Sequence, residues 1–181
     1  QRLTLNGMRL DAERCRELKK SPVASLEIYN CDADAHVCAQ VAEMPRLERL
    51  VLSENTLDDP AVKALARSKT LRNLKLSSTW ASGGSWAELK HLQRLVLNAQ
   101  SVATEDYSQI PAIPELLIET GSNFRDAQLE ALSRSPAASR LEVLGLPGSQ
   151  VTDAGLACLK RFVKLKVIHF GCSPRVTQPG L

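Results

Sequence analysis

A Leu-x-Leu pair recurs eight times along the chain, and that recurrence limits the fold more than any single residue. The pairs are Leu3/Leu5, Leu26/Ile28, Leu50/Leu52, Leu74/Leu76, Leu95/Leu97, Leu116/Ile118, Leu144/Leu146 and Ile168/Phe170. Their first members lie 23, 24, 24, 21, 21, 28 and 24 residues apart, the period range of stacked strand-plus-helix solenoids. The pattern runs from end to end, so residues 1–181 read as a single domain of about eight repeats.

The rest of each unit repeats as well. Five positions after the pair stands an apolar or small residue: Leu10, Ala33, Leu57, Ala81, Val102 and Val151. Ten positions on come Cys15, Cys38, Val62, Trp86, Tyr107 and Leu156, and thirteen on come Leu18, Val41, Leu65, Leu89, Ile110 and Leu159. One inserted residue brings Phe124, Leu129 and Leu132 of repeat six, and Val176 and Leu181 of repeat eight, into the same columns.

These columns have a direct physical meaning. A Leu-x-Leu segment puts both leucines on one face of a strand, and apolar residues three apart, such as Val62 and Leu65, share one face of a short helix. Asp59 before Pro60, Thr104, Asp126 and Thr152-Asp153 stand where helices should start, with side-chain oxygens able to satisfy free amides. A lone unit cannot bury both its apolar faces; stacked units can. Strands stack at about 4.8 Å while packed helices need about 8–10 Å. The expected product is an α/β solenoid with a concave parallel sheet and convex helices.

The best-preserved unit, Leu141-Glu-Val-Leu-Gly-Leu146 followed by Val151-Thr-Asp-Ala-Gly-Leu-Ala-Cys-Leu159, resembles the bacterial and cysteine-containing subclasses of the leucine-rich repeat family. Many members of that family carry Asn three residues after the second leucine, bonded to neighbouring loop backbone. Here the column reads Met8, Cys31, Asn55, Thr79, Gln100, Gly121, Ser149 and Ser173. Asn55 alone keeps the family residue, Gly121 offers no substitute, and Pro111-Ala-Ile-Pro114 interrupts a helix. Repeats five and six are therefore expected to be irregular, and residues 77–85, rich in Ser and Gly, read as an extended return loop.

Composition adds a modest frame. With 44% hydrophobic residues there is ample core material, yet no apolar run is long enough to span a bilayer. The strand at Leu3 and Leu5 opens without a capping unit and Leu181 stands midway through a repeat, so the chain is expected to be a fragment of a longer one. The five cysteines, Cys15, Cys31, Cys38, Cys158 and Cys172, lack CxxC pairing and a disulfide-framework spacing. Five free thiols are expected, with Cys15 and Cys38 as small core residues. No Asn-x-Ser/Thr acceptor occurs. Residence in the cytoplasm, or delivery into a host cytoplasm, fits these features, although a removed leader that directs secretion is compatible with a chain that begins at Gln1.

Catalytic constellations are missing from the sequence. His36, His91 and His169 fall at different repeat positions, so they assemble neither a metal cluster nor a nucleophile–base pair. Gly83-Gly84 lacks the Lys-Ser/Thr of a phosphate loop. The expectation is a protein that is not an enzyme and holds no cofactor and no metal.

Function then falls to the concave face. The residues between the paired leucines are Thr4, Glu27, Val51, Lys75, Val96, Leu117, Gly145 and His169. Val51, Val96 and Leu117 are expected to project there unburied, with Arg49, Lys75 and Arg94 as a positive rim and Tyr29 as the one concave aromatic, a composition suited to a protein or peptide partner. The family resemblance implies the same, a protein-interaction or recognition module, in narrower form the substrate-recognition domain of a bacterial effector or a ubiquitin ligase. Net charge of only +3, with Glu115 and Glu119 beside the cations, argues against nucleic acid.

Overall fold

The computed structural model describes residues 1–55, 57–77, 83–98, 107–119, 123–173 and 175–177. Eight strands form one sheet in sequence order, all neighbours parallel. They are β1 Arg2–Asn6, β2 Ser25–Tyr29, β3 Arg49–Ser53, β4 Asn73–Leu76, β5 Arg94–Asn98, β6 Glu115–Glu119, β7 Val143–Gly145 and β8 Val167–His169. The register carries first leucine onto first leucine without a slip, from Leu3 through Leu26, Leu50, Leu74, Leu95, Leu116 and Leu144 to Ile168. The architecture is the expected α/β solenoid.

Helices return the chain between strands: α1 Ala12–Lys20, α2 Ala35–Ala42, α3 Asp59–Leu65, the single turn α4 Gly83–Trp86, and α5 Asp126–Ser133. Two other returns carry a 3-10 segment, Tyr107–Gln109 and Gly155–Arg161, and a further one, Pro136–Ser139, follows α5 before β7. The turn at α4 departs from the extended loop expected over 77–85, because Trp86 is fully buried and a helical turn delivers it to the core. In repeat five the 3-10 turn places Tyr107 in the core edge-on to Phe124, ring centroids 5.0 Å apart. Ile110 and Ile113, either side of Pro111, are buried in the core. The core columns are buried as their spacing requires, with Leu159 and Val176 only partly so; Ala81, Val102 and Leu181 lie outside the described residues.

The helix starts differ in detail from the sequence reading. Asp11, Asp34 and Asp58 are the capping residues, accepting from the amides of Arg14, Val37 and Ala61 at 2.9, 2.9 and 3.0 Å. Asp59 therefore lies one residue inside α3, which Pro60 joins in its first turn. Asp126 and Asp153 serve the next repeat instead of their own helix. Asp126 accepts from the Thr152 amide at 2.8 Å and hydroxyl at 2.7 Å, and Asp153 does the same with Thr177 at 2.8 and 2.5 Å. Gly155 permits the first of these contacts, since a Cβ there would stand 2.1 Å from Asp126 Oδ1. Thr104 lies outside the described residues.

Stacking also buries loop backbone, which must then be paired. Buried Asn55 does so for four groups at once: its Oδ1 accepts from the amides of Cys31 and Ala33, both at 3.1 Å, and its Nδ2 donates to the carbonyls of Ile28 and Ser53 at 3.0 and 2.8 Å. In the last two repeats, Ser149 and Ser173 join hydroxyls at 3.0 Å, and Ser173 reaches the Leu146 carbonyl at 3.2 Å. Cys31 donates to the Tyr29 carbonyl. All five cysteines are free thiols; Cys15, Cys31 and Cys38 are buried, and burial pushes Cys38 up to about 12.

Two measurements follow from this packing. Asn55→Ala leaves buried amides and carbonyls unpaired, so it should lower unfolding free energy by roughly 2–5 kcal/mol, whereas Ser173→Ala should cost about 1 kcal/mol or less; equal urea midpoints would contradict the account. With a thiol reagent, native protein should react fast at exposed Cys172 and slowly at half-buried Cys158, and Cys15, Cys31 and Cys38 only after unfolding. Alkylation under denaturing, non-reducing conditions should count five thiols.

Candidate functional site

The strand register turns the outward-facing residues into three rows across the sheet. The middle row runs Thr4, Glu27, Val51, Lys75, Val96, Leu117, Gly145, His169. Before it run Arg2, Ser25, Arg49, Asn73, Arg94, Glu115, Val143 and Val167. Tyr29, Ser53, Asn98 and Glu119 belong to the row after. Row neighbours stand about 4.8 Å apart, so each side chain is surrounded by its column mates.

That spacing corrects the expected apolar centre. Val51 is only 2% exposed and Val96 only 6%, although neither belongs to the core cluster. Val51 lies in register between Glu27 and Lys75, and Val96 between Lys75 and Leu117. A short β-branched side chain between two long ones is roofed by their stems. Leu117 remains half-exposed and leans over Gly145, where a Cβ would stand 2.2 Å from Leu117 Cδ1. The accessible apolar surface among these three residues thus contracts to Leu117.

The cationic rim is corrected in a similar way, because each member is already paired. Arg49 Nη1 donates to Glu27 Oε1 at 2.7 Å and to Ser25 Oγ at 3.3 Å. Lys75 reaches two strands across to Glu119 at 2.7 Å, and Arg94 Nε meets Glu115 at 3.1 Å. Tyr29 is half-buried and donates its hydroxyl to Glu27 at 3.3 Å. The surface is a lattice of alternating charge rather than a positive ring.

Glu27 organises one end of that lattice, and selecting apolar and basic residues by column does not find it. It is 3% exposed, and besides Arg49 and Tyr29 it accepts from Arg2 Nη2 at 2.6 Å. The bonds from Arg2 and then Arg49 hold its carboxyl down to about 2, against the opposing effect of burial. A signal was present in the columns: one acid in the middle row, flanked diagonally by Arg2 and Arg49.

Arg49, Asn73, Lys75, Arg94 and Glu119 border a groove of about 420 Å³ on the open face of the sheet. The three histidines lie apart from it. His36 is exposed on α2 and His169 on β8, while His91 sits in a turn with Nε2 buried and unpartnered, its basicity lowered by burial and by Arg72. Among the described residues no group of three His, Cys, Asp or Glu side chains is placed to hold a metal, and no helix is long and apolar enough to cross a membrane.

No family model and no curated protein matches the chain. Among solved structures it is similar to an internalin from Listeria monocytogenes, with a TM-score of 0.42 and 15% identity over 84% of this chain. The match covers 49% of that structure, so the chain spans about half its length.

Glu27 gives the site a pH signature. Its carboxyl is depressed in the folded state, so its stabilising contribution is complete above the ordinary value of 4.5 and is lost as pH falls through about 2. Glu27→Gln should therefore be less stable than the parent at pH 7 and converge with it near pH 2, as read by denaturant unfolding across that range. A stability difference independent of pH would mean the ion pairs are not its source.

Proposed function

We propose that the chain is a recognition module, without catalytic activity of its own, that binds another protein or peptide across the open face of its sheet. The observation that carries this reading is the groove bordered by Arg49, Asn73, Lys75, Arg94 and Glu119. It lies on the face of the sheet opposite the leucine core, and its charged side chains are held in place by cross-strand ion pairs. Fixed polar groups around a concavity lower the ordering cost of association and set specificity. A role as the substrate-recognition domain of a bacterial effector or a ubiquitin ligase is a narrower form of the same proposal.

The pairing pattern favours protein over nucleic acid. Glu27, Glu115 and Glu119 alternate with the cations, so a polyphosphate backbone crossing the face meets carboxylates as often as guanidinium groups, and little counterion release remains to drive binding.

Site-specific photo-crosslinking tests the reading without disturbing the core. A benzophenone amino acid at Ser53, on the open face, should give a discrete crosslinked protein or peptide in native lysate, and the same group at exposed Lys63 on α3 should not. Crosslinks confined to Lys63, or identical products from both positions, would place recognition elsewhere.

A further inference from the structure

We infer that the groove between Arg49 and Arg94 is a carboxylate site, built to take a single Asp or Glu side chain from an extended segment of the partner protein. This rests on the reading of the open face as a protein-binding surface and adds what that surface recognises.

Three donors in one row define the site. Arg49, Asn73 and Arg94 are consecutive in register, so the two arginines stand about 10 Å apart at the backbone with Asn73 between them. Each guanidinium is held on its outer side, Arg49 through Nη1 to Glu27 and Ser25, Arg94 through Nε to Glu115. The outward pull keeps both from folding over Asn73, and they stand as the walls of the groove. Inward donors are left over: Nε and Nη2 of Arg49, both terminal nitrogens of Arg94, and the carboxamide of Asn73 have no partner among the described residues. The arginines keep 45% and 44% of their side-chain surface exposed, so these donors are accessible. Planar forks of this kind match the two oxygens of a carboxylate.

The surroundings restrict the occupant to one charge. Glu27 lies beyond Arg49 and Glu115 beyond Arg94, while Glu119, its charge taken up by Lys75, borders the groove itself. A second or third anionic group on the same segment would be brought against these carboxylates, which excludes acidic tracts and nucleic acid strands. On the far side of Arg94, one strand on, half-exposed Leu117 lies flat over Gly145 and offers apolar contact. The matching segment is therefore one acidic residue, neutral neighbours, and an aliphatic or aromatic residue displaced towards Leu117.

The test selects binders from a phage-displayed library of random dodecapeptides on the whole chain. The selected pool should be enriched in peptides with one Asp or Glu and an apolar residue at a recurring separation. Synthetic copies should bind with Kd raised about tenfold or more by Arg94→Gln and by Asn73→Leu. Asn73→Leu touches no ion pair, so a melting temperature close to the parent's is expected, and it secures the result should Arg94→Gln disturb the fold. Lys63→Gln on the convex side should change nothing. Binders without acid enrichment, or undiminished by both variants, overturn the inference. If Leu117→Arg abolishes binding of those peptides, the open face still recognises protein and only the carboxylate site falls; if it too is without effect, both readings fall. An empty selection also overturns the carboxylate site, leaving the open face to be judged by the crosslinks from Ser53.

Discussion

Every feature of this molecule depends on strands that stack without slipping. From β1 to β8 the first leucine of each pair lies on the first leucine of the next, although the intervals between pairs range from 21 to 28 residues. The variation is absorbed in the return segments, which alternate between helices, single turns and 3-10 segments. A slip of one residue would turn the leucines outward and the charged row inward, so the buried face fixes the register for both faces. Residues that share a column thereby become physical neighbours at the strand spacing. On the inner side this makes a leucine spine. On the outer side it brings Glu27 beside Arg49, and Glu115 beside Arg94, though each pair is separated by more than 20 residues.

The same stacking encloses loop backbone, and the chain solves that problem differently along its length. Asn55 serves repeats two and three, Asp126 with Thr152 and Asp153 with Thr177 tie the later repeats together, and Ser149 with Ser173 serves the turns after β7 and β8. Each is a side-chain oxygen reaching one repeat away. Asn55 is thus one device among several, and Ser149 and Ser173, in the same column, use short hydroxyl bonds instead.

Periodicity made the core legible and left the open face largely unread, for a physical reason. Burial of Leu74, Trp86 or Phe124 follows from spacing alone, because the inner face has one environment. Outward exposure does not. Val51 and Val96 alternate outward as predicted, yet their neighbours' longer side chains cover them, and that depends on which residues the register brings alongside. The charges of Arg49, Lys75 and Arg94 were legible, whereas their pairing needed the strand alignment and, for Lys75 with Glu119, a reach across an intervening strand. The helix caps missed by a residue at Asp58 because two consecutive acids precede Pro60 and only backbone direction decides which one caps.

Coverage of the valines links the two faces of the sheet. Substituting an exposed member of the charged rows changes a partly solvated ion pair, worth roughly 0–1 kcal/mol, and leaves the leucine spine alone. Val51 and Val96 are different: each is almost fully buried between longer side chains that the register brings alongside. Removing their methyl groups would lose buried apolar surface and let the charged ends sink. The open face can therefore be altered through its arginines, asparagine and acids without touching the two buried valines or the leucine spine.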